Sequence, residues 1–121
     1  MAEVLLVDDD GSVLLTTTIA LRRYGHKVTA ARNGWQALVM LDRQPFEILV
    51  SDVRMPGMSG LELAQRARNL ATPPRVILTS AQCIEVGDEL AEVFLPKPVD
   101  TEELDDILSL LGEEYFTRHH S

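Results

Sequence analysis

Ile48-Leu49-Val50-Ser51-Asp52-Val53-Arg54-Met55-Pro56-Gly57-Met58-Ser59-Gly60 is the stretch whose reading decides the fold. Ile48-Leu49-Val50 is apolar without alternation, as a strand covered on both faces should be. It runs straight into Ser51-Asp52, and Met55 and Met58 then flank a turn and are expected to pack. Ser59 and Glu62 have capping-box spacing ahead of a helix with Leu63, Ala67 and Leu70 on one face. That helix must stop before Pro73-Pro74. One strand, one polar strand end and one helix thus follow in order within about 25 residues, a typical length for one strand–helix unit.

The same grammar extends in both directions. Val4-Leu5-Leu6-Val7 and Val76-Ile77-Leu78 are further continuous runs. Val28-Thr29-Ala30-Ala31 and Val93-Phe94-Leu95 are weaker strand candidates. A first helix is expected from Ser12 to Tyr24, closed by Gly25. Asn33 can cap a second, with Ala37, Leu38 and Leu41 on its inner face, and Trp35 is expected to pack on that helix. Asp100 and Glu103 begin a last helix with the stripe Leu104, Ile107, Leu108 and Leu111, and Gly112 is expected to close it. Strands alternating with helices predict a parallel sheet with right-handed crossovers, here an open, doubly wound five-stranded sheet. The tail from Glu113 to Ser121 either extends the last helix or frays, and His119-His120 reads as solvated tail rather than a metal site.

Size and charge bound the function. A chain of 121 residues with 45% hydrophobic and 25% charged residues is one globular domain. The single cysteine, Cys83, fits a reducing cytoplasm. The short N-terminal apolar run is no signal peptide, and no stretch approaches the ~20 apolar residues of a membrane span. A net charge of −8 argues against autonomous nucleic-acid binding.

Ligands of open parallel sheets bind beyond the carboxyl ends of the strands. Those ends here are Asp8-Asp9-Asp10, Ser51-Asp52, Thr79-Ser80 and Pro96-Lys97-Pro98. Carboxylates gathered so closely resist ionisation unless a cation joins them. Mg2+ suits, because it takes one or two carboxylates, waters and a substrate phosphate. Lys97 can pair with a carboxylate and then with a phosphoryl oxygen, and Thr79 offers a hydroxyl donor. Asp52 is central, so it is the expected nucleophile, forming an aspartyl phosphate. Asp10 reads as the exposed acidic start of the first helix.

Val7-Asp8-Asp9, Val50 to Gly60, Ile77-Leu78-Thr79-Ser80 and Phe94-Leu95-Pro96-Lys97-Pro98 together resemble the receiver domain of two-component response regulators. The resemblance covers about Glu3 to Gly112, giving a domain at 1–112 and a tail at 113–121. It implies a flavodoxin-like strand order 2-1-3-4-5 and phosphoryl transfer to Asp52 from a histidine kinase or a histidine phosphotransfer protein. It implies Mg2+ held by Asp9, Asp52 and the backbone carbonyl of Arg54, with Asp8 assisting through water. The Arg54 side chain is expected over the site mouth. Thr79 and Lys97 would contact the phosphoryl group, and Phe94 takes the family's switch-aromatic position. A cis Lys97–Pro98 peptide is implied as well, and so is a downstream partner protein of unknown kind.

Thr79 and Lys97 are only 18 positions apart, about one helical turn less than in most receivers, so a shortened fourth helix is expected between them. Cys83 to Glu92, acidic and poor in apolar residues, is expected to be mobile and to gain order on phosphorylation. Both a stand-alone regulator and a receiver cut from a hybrid kinase fit. Three rivals are weaker. Asp8-Asp9-Asp10-Gly11-Ser12 fits the nucleophile motif of haloacid-dehalogenase-like phosphatases, but their second acidic motif should follow the lysine, whereas Asp52 precedes it. A receiver-like interaction module that is never phosphorylated would lack the acceptor, an acid or the lysine, and all are here. A flavin or nucleotide binder of this fold lacks its Gly-rich loop after strand one.

Overall fold

The computed structural model describes the backbone of residues 2–82 and 90–120, with side chains in the same stretches as far as Glu113. Five strands, β1 (Glu3–Val7), β2 (Lys27–Ala31), β3 (Ile48–Asp52), β4 (Arg75–Ser80) and β5 (Val93–Pro96), form one sheet in the order β2-β1-β3-β4-β5. Every pairing is parallel. Four helices appear among the described residues: α1 (Gly11–Arg23), α2 (Gly34–Arg43), α3 (Gly60–Arg68) and α4 (Thr101–His120). This is the flavodoxin-like architecture expected from the sequence.

The continuous apolar runs are explained by two cores, one on each sheet face. Leu5, Val7, Leu49 and Leu78 point to the face covered by α2 and α3, with Ala37, Leu41, Leu63 and Ala67. Val4, Leu6, Ile48, Val50 and Ile77 point the other way, against Leu14 and Leu21 of α1 and Leu104, Leu108 and Leu111 of α4. Alternate residues of one strand therefore serve opposite cores, so the apolar runs of β1, β3 and β4 are continuous up to their polar ends. Met55 and Met58 are buried in the first core.

Each helix begins on a side-chain cap. Asp10 accepts from the Ser12 and Val13 amides at 3.0 and 3.3 Å, Asn33 from Gln36 at 2.8 Å, and Ser59 from Glu62 at 3.1 Å. Asp100 accepts from Glu102 and Glu103 at 2.9 and 3.3 Å. Such caps fix where helices start, and so fix the lengths of the loops at the carboxyl edge. Gly25 has φ +98°, the left-handed conformation that ends α1.

Gly112 behaves differently from expectation. It does not close the last helix, because α4 passes through it to His120. Its backbone lies against the start of β1, where a Cβ would come 3.3 Å from the Ala2 Cβ and 3.6 Å from Glu47 Oε2. Gly112 is thus a point of close approach and not a cap. The expected shortened fourth helix and the acidic segment after Cys83 fall largely on residues 83–89, outside the described residues. His119 and His120 lie beyond the described side chains.

At the amino edge of the sheet, His26 is buried with both ring nitrogens engaged. The Ala2 N–H donates to Nδ1 at 3.1 Å, so Nε2 carries the proton and donates to Asp105 Oδ1 of α4 at 2.6 Å.

Candidate functional site

Strand register brings the polar strand ends together. Asp52 pairs with Thr79 across β3 and β4, and Val7, just before Asp8, pairs with Ser51. The Val53 amide donates to the Thr79 carbonyl at 2.8 Å, and the Lys97 amide to the Ser80 carbonyl at 2.9 Å. These bonds carry the register one residue past the strands and aim three side chains at one point. The Lys97–Pro98 peptide is cis, as expected.

Lys97 Nζ donates to Asp8 Oδ2 at 2.8 Å and to Asp52 Oδ2 at 3.1 Å. A carboxylate oxygen from each of Asp8, Asp9 and Asp52 lies within 4.8 Å of the others. Asp8 and Asp52 are buried, and Asp9 is exposed at the mouth. Thr79 is buried on β4 beside Asp52. The arrangement meets the demands of a hard cation: three oxygen donors on one side, one of them open to solvent.

The electrostatics are unbalanced. Three carboxylates face one ammonium. Burial pushes the Asp52 carboxyl above its ordinary value, and the Lys97 hydrogen bond only partly opposes this. Lys97 cannot neutralise Asp52 fully because it is shared with Asp8. Burial pulls the Lys97 ammonium down, but its bonds to Asp8 and Asp52 outweigh that and hold it above the ordinary lysine range. Asp10 belongs to a different economy: its carboxyl is held low by the Val13 amide, then by Ser12, as a helix cap should be.

Two backbone donors complete the site. The Asp10 amide donates to Asp8 Oδ1 at 2.9 Å, and the Arg54 amide to the Asp52 carboxylate. Sequence motifs do not reveal such donors, since every residue carries an amide. Gly60 also escapes motif reading as a requirement. A Cβ there would strike the Asp52 carbonyl, so only glycine lets α3 start against the end of β3. Its signal was a glycine at a first helical position, where most residues would serve. The Arg54 side chain is exposed. Phe94 is half-buried and packs against the core on the α2/α3 face. Beside the acids, on the α1/α4 face, a cavity of about 570 Å³ is lined by Ser12, Thr16, Val50, Val99 and Leu104, with Asp8 and Lys97 at one end.

An open parallel sheet whose carboxyl edge gathers acids, a hydroxyl and a lysine places the chain among flavodoxin-like α/β proteins with a polar site at the strand ends. The comparisons make the class specific. Residues 4–109 match the family described as response regulator receiver domain, and the chain belongs to that family. It is 33% identical over 109 residues to the transcriptional regulatory protein AfsQ1 of Streptomyces coelicolor, covering 87% of this chain and 48% of that protein. It is 30% identical over 111 residues to protein PilH of Pseudomonas aeruginosa, covering 86% and 92%. The chain therefore spans about half of the first relative and most of the second. Among solved structures it resembles the response regulator TrrA of Thermotoga maritima in complex with Mg(2+)-BeF. The TM-score is 0.83 and the identity 26%, over 92% of this chain and 99% of that one. No helix among the described residues is long and apolar enough to cross a membrane.

Proposed function

We propose that this receiver domain accepts a phosphoryl group on Asp52 with the help of Mg2+. The observation that carries the reading is the shared lysine: one ammonium between two buried carboxylates, with a third acid at hand. The donor set fits a hard divalent ion, which Asp9, Asp52 and the Arg54 carbonyl would hold, with Asp8 assisting through water. When bound, Mg2+ supplies the charge neutralisation that three acids and one lysine lack. An Asp52 carboxylate oxygen attacks the phosphorus of a phosphoimidazole. The P–N bond breaks, and its electron pair returns to the imidazole nitrogen. Lys97 moves from carboxylate to phosphoryl oxygen, and the Thr79 hydroxyl donates to another.

The donor is a histidine kinase or histidine phosphotransfer protein, and the receiver acts as a signalling phosphoacceptor rather than a turnover enzyme. We assign residues 1–112 to the receiver domain and place it in the cytoplasm. On phosphorylation Thr79 moves inward, Phe94 follows into the vacated space, and the changed surface is read by a downstream protein.

The test is labelling from acetyl phosphate. Wild type takes one phosphoryl group, dependent on Mg2+, and Asp52→Asn takes none. Labelling of Asp52→Asn at the wild-type rate refutes the assignment. Stoichiometric absence of label in both chains would favour a receiver fold used only as an interaction module.

A further inference from the structure

We propose that Trp35 is a positioning residue for the phosphoacceptor loop, a role resting on the function proposed above. Trp35 is 57% exposed, the second turn-forming residue of α2, and contributes little to either core. Its exposure calls for a reason, because a large aromatic usually finds deeper cover. Two contacts supply one. The Arg66 guanidinium of α3 stacks over the indole, 5.4 Å from the ring centroid. The indole Nε1 faces Gly57, where a Cβ would lie 3.7 Å away.

Gly57 is the pivot of the loop that follows Asp52, with φ +79°. That loop is gripped from beneath as well. Met58 sits against Gly34, where a Cβ would come 2.7 Å from the Met58 Sδ. The loop starts at Arg54, whose amide donates to the Asp52 carboxylate and whose carbonyl is the proposed metal ligand. Trp35 and Met58 thus hold the loop from outside and inside, and Arg66 holds Trp35. Arg66 is itself oriented by Glu62 at 3.6 Å on the same helix. Loss of the outer grip frees the Gly57 pivot, and with it the carbonyl one turn upstream. A residue this exposed changes the fold little when removed, so its effect should fall on the site.

Trp35 is the chain's sole tryptophan, so its emission reports the grip directly. Wild-type emission should shift on Mg2+ addition and again on beryllofluoride, the second shift being absent in Asp52→Asn. By calorimetry, Trp35→Ala should weaken Mg2+ binding about tenfold, the low end of what lost supporting contacts cost a metal site. Arg66→Gln should weaken it about two- to fivefold, the range an exposed cation–π contact converts to. Trp35→Phe should restore most of the affinity, because it keeps a ring face for Arg66. Melting temperatures of all three should stay within about 3 °C of wild type, as for surface substitutions. Wild-type Mg2+ affinity in Trp35→Ala, or a loss that tracks a large fall in melting temperature, overturns the proposal and leaves the Asp52 assignment standing. Failure of the wild-type chain to bind Mg2+ at all sinks both.

Discussion

The two edges of the sheet handle polar groups in opposite ways. At the amino edge, His26 has a donor for one nitrogen and an acceptor for the other. Glu47 accepts the Glu3 amide at 3.0 Å, and its own amide and carbonyl pair with Glu3 and Arg75. At the carboxyl edge, Asp8 and Asp52 share Lys97, and Asp9 adds a third acid beside them. Equal backbone geometry carries a settled network at one end and surplus negative charge at the other. Stability alone would remove that surplus, so the unsatisfied edge is where a ligand is awaited.

Removing Lys97 should have the largest effect on the apo fold. In Lys97→Met, Asp8 and Asp52 lose the one cation paired with them among the described residues, and stability should fall by about 2–4 kcal/mol, near the cost of breaking a buried pair. Chemical denaturation measures this. Mg2+ should restore more stability to Lys97→Met than it adds to wild type, since the ion supplies the missing charge. Equal Mg2+ effects in the two chains would show that the lysine and the ion do not share one charge deficit.

The amino edge should respond without any such rescue. His26→Leu leaves the Ala2 amide and the Asp105 carboxylate without their partner. It should cost about 1–3 kcal/mol, the penalty for orphaned polar groups. Mg2+ should not recover that loss, and labelling of Asp52 should proceed at the wild-type rate once the protein is folded. A Mg2+ rescue here would erase the distinction between the edges. Asp10→Ala stands between them. It lies at the carboxyl edge but acts as a cap, so it should cost about 1 kcal/mol with little change in Mg2+ affinity.

The carboxyl edge was legible in the sequence and the amino edge was not, for physical reasons. Strands buried on both faces are continuous apolar runs, and whatever polar residue ends each run stands at the edge. Asp8, Asp52, Thr79 and Lys97 could therefore be placed together before any contact was known. His26 and Asp105 are 79 positions apart, and neither ends a strand, so nothing local marks them as partners. Gly112 misled because a glycine after an apolar stripe signals a helix end, yet here the constraint is the neighbouring β1. Trp35 was expected to pack on its own helix, whereas its visible cover comes from Arg66 of α3.

Charge crowding itself predicts the smallest change, and burial decides which acid should show it. Asp9 is exposed, so Asp9→Asn should change apo stability little, and the strain resides chiefly in buried Asp52. The Asp52 carboxyl sits above its ordinary value of 3.8, mainly through burial. Below 3.8 it is protonated in both the folded and unfolded states and contributes nothing. As pH rises through the window between the unfolded and the raised folded value, the unfolded chain ionises first and stability is lost. At neutral pH the folded domain carries the full penalty. Asp52→Asn removes it while Lys97 keeps Asp8 at 2.8 Å. The variant should therefore be more stable than wild type at neutral pH, by the smallest margin of the set, because the site is partly open to solvent screening. The gap should close as pH falls below 3.8. Parallel denaturation curves across pH measure it. A variant less stable than wild type at neutral pH would mean that the Lys97–Asp52 bond outweighs the burial of Asp52, and that the apo site is balanced rather than strained.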